Sequence, residues 1–310
     1  NDVAAILITH LNEEKKNIIE LKKKIDLHNV NKDKIYLIED CAVSLGSKIN
    51  ERNVGTYGDY SFLSFNIMKN ITSFTGGALV DNKNNDNIKF NFAHYKKPTK
   101  INIIKKIIFL LTLQILNSKI LFPIFFKLIK ISYKYSFNFF LKKYRTDFEV
   151  KIEKKFPSRF KNLMHNFQKY ILLKQFDGME SDQNSRISKS KFYFDGLKNI
   201  DELYFPQKEF NNQNIFLEFP IIFKTKEIQN KLFHFLLNNK IDVKNYYYTN
   251  CSEKKIYNQK DSICLNSKKI SENIIMLPVH KKIRESYQLK IINKIIEFFN
   301  TYEIKNNKII

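Results

Sequence analysis

Three cysteines in 310 residues, Cys41, Cys251 and Cys264, are an odd number without metal-ligand spacing. They leave no disulfide framework and fit a reducing cytoplasm. The six histidines (His10, His28, His94, His165, His234 and His280) are scattered, which argues against a metal site, and His280 in LPVHKK reads as structural. The longest run without a charged residue, Ile107 to Ser118, falls well short of the ~20 residues needed to span a bilayer. There is no internal repeat, and no aromatic-basic module of the RNA-binding kind. The formal net charge of +22 therefore does not make this a nucleic-acid binder; part of it is composition, since Lys, Asn, Ile and Tyr abound together. Glycine is scarce as well, at seven residues. A chain this poor in glycine spends it where the backbone takes unusual angles or approaches something closely.

Five of the seven glycines fall between Gly46 and Gly77. The segment reads IYLIEDCAVSLG (Ile35 to Gly46), NVGTYGDYSFLSFNIMKN (Asn53 to Asn70) and ITSFTGGALV (Ile71 to Val80). Ile35–Ile38 is a short apolar run suited to a parallel strand, and it delivers Glu39 and Asp40 at its carboxyl end, where an open α/β sheet faces its ligand crevice. Tyr60–Phe65 and Ala78–Val80 read as two more strands, with Ser64 to Gly77 connecting them. A lysine on that connection, Lys69, near a strand-end aspartate suits imine chemistry. The amine attacks an aldehyde, and the carboxylate keeps a ring nitrogen protonated so that the ring accepts electrons. Taken singly, Asp40 reads as well as a strand cap, Ser64 as a loop hydroxyl and Lys69 as a surface lysine. Together, in this frame, they read as a site.

At these residues the chain resembles the pyridoxal-phosphate-dependent sugar aminotransferases of the DegT/DnrJ/EryC1/StrS family. The resemblance rests on Ile38-Glu39-Asp40 with Ala42, Val54-Gly55-Thr56 with Gly58-Asp59, Ser64-Phe65, Lys69-Asn70, Thr72 and Gly76-Gly77. It implies that Lys69 holds pyridoxal 5'-phosphate through its amine and moves the proton in catalysis, that Asp40 pairs with the pyridinium nitrogen, and that Ser64 binds the phosphate. Val43 stands where the family usually has a glutamine; it can pack on the ring face but cannot hydrogen-bond its hydroxyl. Thr75 stands in place of the glutamate of G-E-G-G. Related dehydratases carry histidine in place of the lysine, and cysteine desulfurase relatives place His before it, where Met68 stands here.

The resemblance extends over nearly the whole chain. Upstream, Val3 to Asn12 reads as a strand and Glu13 to Asn29 as an amphipathic helix, one crossover unit. Downstream, Phe156 to Met179 and Arg186 to Leu197 read as helices; Glu218–Phe223, Asn239–Tyr247 and Asn273–Ile283 match a small domain. The implied fold is α/β: an aspartate-aminotransferase-like (fold type I) large domain with a mainly parallel sheet, plus a small α+β carboxyl-terminal domain. The chain opens at Asn1 almost directly on a mid-domain strand, so the large domain is expected to be incomplete at its amino terminus and this piece alone inactive. The expected division is a partial cofactor domain over 1–95, a basic amphipathic helical insertion over 96–150, connecting helices over 151–197 and the small domain over 198–310.

The insertion is the second unusual feature. From Asn87 to Thr146 there is no Asp or Glu, but thirteen Lys and Arg among many Ile, Leu, Phe and Tyr. Such a stretch suits helices lying in an anionic membrane surface with lysine stems reaching the headgroups; packing on the protein body or on a second subunit is the other reading. The resemblance implies a homodimeric enzyme; the cysteine usage fits the cytoplasm, and the insertion would make the enzyme peripheral at the membrane's inner face through 100–145. It would transfer the amino group of glutamate to a nucleotide-linked keto-sugar for surface polysaccharide or lipopolysaccharide synthesis. Arg159 matches a position that reaches the neighbouring subunit's phosphate. A catalytically impaired binding or regulatory protein of the same fold, or a membrane-surface scaffold, is the alternative.

Overall fold

The computed structural model describes residues 3–11, 17–30, 34–83, 91–116, 118, 120–134, 157, 160–245, 250–254 and 264–306. Strand β1 (Ala5–Thr9), helix α1 (Asn17–Asn29) and β2 (Tyr36–Asp40) form the first crossover unit, with β1 and β2 parallel and Thr9 opposite Asp40. β5 (Tyr60–Ser64) also runs parallel to β2, and β6 (Gly77–Asp81) closes the sheet antiparallel, in the order β1-β2-β5-β6. A two-residue hairpin, β3 (Lys48–Ile49) with β4 (Arg52–Asn53), lies between β2 and β5 in the chain. The apolar face of α1 presents Ile18 and Ile25, two turns apart, to Leu37, Cys41, Ile49 and Val54. The spacing of seven puts both isoleucines on one helical face.

Two helices follow, α2 (Lys100–Leu116) and α3 (Phe122–Lys134), and then α4 (Asn166–Phe176) and α5 (Met179–Leu197). The first helix of that second pair starts at Asn166, ten residues later than the pattern from Phe156 suggests. His165 is its cap: the ring accepts from the Phe167 amide, and the Gln168 side chain accepts from the His165 amide. Asp177 and Gly178 separate α4 from α5, which begins at Met179 rather than Arg186.

The carboxyl-terminal sheet is antiparallel, β7 (Leu203–Tyr204), β8 (Glu218–Phe223) and β9 (Ile274–Pro278), with α6 (Lys226–Asn238), α7 (Leu265–Glu272) and α8 (Glu285–Asn306) around it. Pro220 sits inside the central strand, yet β7 pairs only with Ile222 and Phe223, so the missing N–H costs no ladder bond there. Thr225 caps α6 by accepting from the Ile228 amide, and Ile228, Leu232, Phe233 and Leu236 face inward at helical spacing. Their core also takes Tyr193, Phe194 and Leu197 from α5 and Phe126 from α3. Phe219 lies against Tyr193, Phe205 and Phe216, with ring centroids 5.5 to 6.0 Å apart.

Candidate functional site

Asp40 ends β2, where the parallel pairing brings it beside Thr9 and Phe62. Its backbone carbonyl accepts from the His10 amide at 2.9 Å. One carboxylate oxygen accepts from the Ala42 amide at 2.9 Å, and the other lies 3.4 Å from the Thr9 hydroxyl. These contacts fix the carboxylate at the sheet's carboxyl-terminal edge while leaving it half-buried and able to take a further donor.

Beneath it, Glu39 points to the opposite side of the strand, as pleating requires, and is fully buried. One of its oxygens accepts from the Gly55 amide and from His10 Nε2, each at 2.7 Å, and the other accepts from the Gly58 amide at 2.5 Å. Burial pushes this carboxyl up, but the bonds from His10, Gly58 and Gly55 outweigh it and leave it below its ordinary value. Gly55 has φ +88°, a conformation open to glycine at no steric cost. Asp59 continues the stapling by accepting from the Leu37 amide at 2.7 Å and pairing with Lys83 at 2.5 Å. Ligand-type atoms of His10, Glu39 and Cys41 lie within 4.8 Å of one another. Both oxygens of Glu39 are already bonded, so the cluster reads as a staple holding the Gly55–Asp59 turn against β2.

The connection from Ser64 to Gly77 carries Lys69. Ser64, half-buried, ends β5 opposite Gly77, and the Phe65 amide donates to Gly76 O at 2.9 Å, closing the neck of the loop. A Cβ on Gly77 would stand 2.4 Å from the Leu63 carbonyl oxygen, so only glycine lets the strands approach there. Phe74 takes φ +77°, a strained value for a bulky residue, and the turn is held by its amide donating to the Thr72 hydroxyl at 3.1 Å and by the Ser73 hydroxyl donating to Thr75 O at 2.9 Å. Helix α4 clamps the loop from outside. Gln168 Nε2 donates to Ser73 O at 2.8 Å, while the Gln175 amide both donates to Thr72 O (2.8 Å) and accepts from Thr72 N (3.1 Å). Neither glutamine stands out in the sequence, since a bond across about a hundred residues leaves no local signal.

The Lys69 amine is half-buried and has no hydrogen-bond or ion-pair partner among the described residues. Burial lowers its pKa, and the Asp40 carboxylate acts in the opposite direction. The structure thus brings Lys69 within electrostatic reach of Asp40, at the loop whose neck Ser64 forms. Val43 is half-buried in the turn after β2, and Arg159 lies outside the described residues. The Thr75 hydroxyl accepts from Lys106 of α2 at 2.7 Å. Next to Lys69, both side-chain polar atoms of Asn70 are buried without partners among the described residues on the wall of a cleft of about 360 Å³. Lys174, Arg186 and His280 to Lys282 line it from the other side. Burial, with Arg186, Lys189 and Lys282 nearby, depresses the His280 pKa.

A partly desolvated amine with no partner among the described residues, within electrostatic reach of an anchored carboxylate, can attack a carbonyl and can carry a proton. The chain's similarities agree with that chemistry. Over 78 residues it is 40% identical to GDP-perosamine synthase of Vibrio cholerae, a stretch covering 25% of this chain and 20% of that protein. Over 75 residues it is 36% identical to the lipopolysaccharide biosynthesis protein RfbH of Salmonella typhimurium, a stretch covering 24% of this chain and 16% of that protein. The matched stretches thus span about a fifth of these relatives' length. An aminotransferase structure from Psychrobacter cryohalolentis superimposes with a TM-score of 0.66 at 15% identity, covering 96% of this chain and 69% of that one, which shows the fold type I architecture. The family model matches residues 2–97 and 141–296, and the aminotransferases it describes are pyridoxal-phosphate dependent. The chain belongs to the DegT/DnrJ/EryC1/StrS aminotransferase family.

Proposed function

We propose that this chain carries the lysine-bearing part of a pyridoxal-phosphate-dependent enzyme that moves an amino group from glutamate to a nucleotide-linked keto-sugar. The product serves surface polysaccharide or lipopolysaccharide synthesis. The observation that carries the reading is the half-buried Lys69 amine, without a partner among the described residues and within electrostatic reach of Asp40. The residues present fit the cofactor. Burial favours the neutral amine that binds an aldehyde, Asp40 keeps an open carboxylate for a ring nitrogen, and the Ser64 hydroxyl stands at the loop neck for a phosphate.

When bound, the cofactor supplies an electron sink for the carbon that loses its proton. Lys69 would hold the cofactor and would serve as the base and acid that carries the proton. Asp40 keeps the ring nitrogen protonated, and its bond from the Ala42 amide fixes its direction. Glu39, through Gly55 and Gly58, keeps the edge of the sheet rigid beneath both. Val43 would pack on the ring face. By its match to the family position, Arg159 would serve the neighbouring subunit's phosphate in a homodimer. The enzyme works in the cytoplasm, peripheral at the inner face of the membrane. The relatives named GDP-perosamine synthase and lipopolysaccharide biosynthesis protein support the substrate class.

The test is direct. Full-length protein purified with the cofactor should absorb in the visible, and borohydride should fix the label on the peptide containing Lys69. A label on another lysine sinks the assignment.

A further inference from the structure

Helices α2 and α3 occupy the interval that the family model leaves unmatched, between residues 97 and 141. Each is fastened on one side. Ile103 is buried, Lys106 turns inward to the Thr75 hydroxyl at 2.7 Å, and Phe126 enters the carboxyl-terminal core beside Phe122. The opposite side is open and apolar. On α2, Ile101, Ile104, Ile108, Leu111 and Ile115 recur at spacings of three and four and are between 52% and 65% exposed. Such spacing places them in one stripe. Ile120, in the turn between the helices, is 83% exposed, and Ile124, Leu128 and Ile131 carry an exposed stripe along α3. Nine exposed large aliphatics on two adjacent helices far exceed the scattered singles that a surface normally shows.

Charge decides what covers them. On a helical projection Lys100 and Lys105 flank the α2 stripe on its two sides and Lys127 edges the α3 stripe; Lys130 stands farther round α3, and all four are exposed. No acid occurs from Asn87 to Thr146. A second copy meeting this face about a two-fold axis would set lysine against lysine with no carboxylate to answer it. A surface that is apolar below and negative above answers both features. We propose that α2 and α3 form a docking face for an anionic phospholipid bilayer. The stripes enter the boundary between headgroups and acyl chains, and the lysine stems extend to the phosphates. Among the described residues no helix is long and apolar enough to cross a membrane, so the face lies on the bilayer. The inward anchors then hold the lysine loop at a fixed distance from that surface.

Vesicle co-sedimentation of the full-length protein tests this without any turnover, so its outcome is independent of the aminotransfer reading. Vesicles of phosphatidylcholine with phosphatidylglycerol should pellet the protein at low salt, and pure phosphatidylcholine should pellet at least about tenfold less. Ile108→Glu with Leu111→Glu, both at exposed positions, should reduce anionic binding by about tenfold or more with unchanged circular dichroism. Lys105→Gln, Lys127→Gln and Lys130→Gln together should erase the preference for phosphatidylglycerol. Equal recovery with both vesicle types overturns the proposal, as does full binding by the glutamate variant. Conversion of a dimer to a monomer by that variant in sedimentation velocity, with lipid binding intact, assigns the face to a second copy and overturns it too.

Discussion

Two carboxylates, one in each half of the chain, are both drawn out of water, Glu39 fully and Glu218 to 18% exposure, and end up on opposite sides of their ordinary pKa. Glu39 accepts three bonds, two from backbone amides and one from His10, and its carboxyl is held below the usual value. Glu218, at the start of β8, has Lys244 at 2.5 Å, yet burial prevails over Lys244 and Arg186 and pushes it up. Arg186 has little to offer it, since its guanidinium is committed to Asp182 and to the carbonyls of Phe216 and Leu217. The amino-terminal half is thus organised by directed polar bonds that hold the Gly55–Asp59 turn against β2. The carboxyl-terminal half is organised by aromatic and aliphatic packing, and there an acid is only tolerated. Mutations should therefore cost chemistry in one half and stability in the other.

The sharpest break would come at Lys69. Lys69→Ala should lower amino transfer by at least about 10²- to 10⁴-fold, the range for loss of a positioned acid–base group, with an unchanged melting temperature. Asp40→Asn should slow turnover by orders of magnitude with the fold intact, because the ring nitrogen loses its partner. Near-normal turnover in either variant would show that the polar half does not carry the chemistry.

Next in size is the aromatic core. Phe219 is buried among Tyr193, Phe205 and Phe216, and Phe219→Ala should cost about 3–5 kcal/mol in denaturant unfolding. Borohydride labelling of Lys69 in the surviving folded protein should stay intact. A labelling loss without a stability loss would erase the contrast between the halves.

What the sequence discloses follows the same division. The strand–helix–strand unit, the strand-end acid pair and the glycine-flanked lysine loop are legible because each is local: period, turn chemistry and spacing lie within a few residues. The family and its fold follow from the same residues. The clamp by Gln168 and Gln175, the His10–Glu39 bond and the Lys106–Thr75 contact are not legible, because they join residues 29 to 103 positions apart. His10 looks like one of six scattered histidines until β1 pairs with β2. The late start of α4 is set by a histidine cap, a residue outside the usual capping set. For α2 and α3 the composition marks an interface, but only the fold tells which side of each helix stays open.

A smaller effect sharpens the role of Glu39. In Glu39→Gln an amide NH₂ faces one of the donors that the carboxylate now satisfies, so a buried donor loses its partner at about 1–3 kcal/mol. The pH dependence carries the signature. Since the folded pKa of Glu39 lies below the ordinary glutamate value, its stabilisation is fully present above that ordinary value and is lost as pH falls through the folded pKa. Glu39→Gln should remove that part of the acid dependence; an identical acid-unfolding profile would mean that the staple adds nothing.

The smallest expected effect is at Glu218, and its sign is reversed. Its folded pKa lies above 4.5, so between the two values the folded state binds more protons than the unfolded state. Stability from this group therefore falls as pH rises through that window and is level on either side. Glu218→Gln keeps an acceptor for the Lys244 amine and removes the buried charge, so it should flatten the slope in that window. It should leave stability at neutral pH equal or slightly higher, in line with the modest return of ion pairs held out of water. Thermal unfolding of both variants from pH 4 to 8 sets the two acids side by side. If Glu218→Gln destabilises the protein at neutral pH as much as Glu39→Gln does, burial of Glu218 is compensated after all, and the two halves handle charge alike.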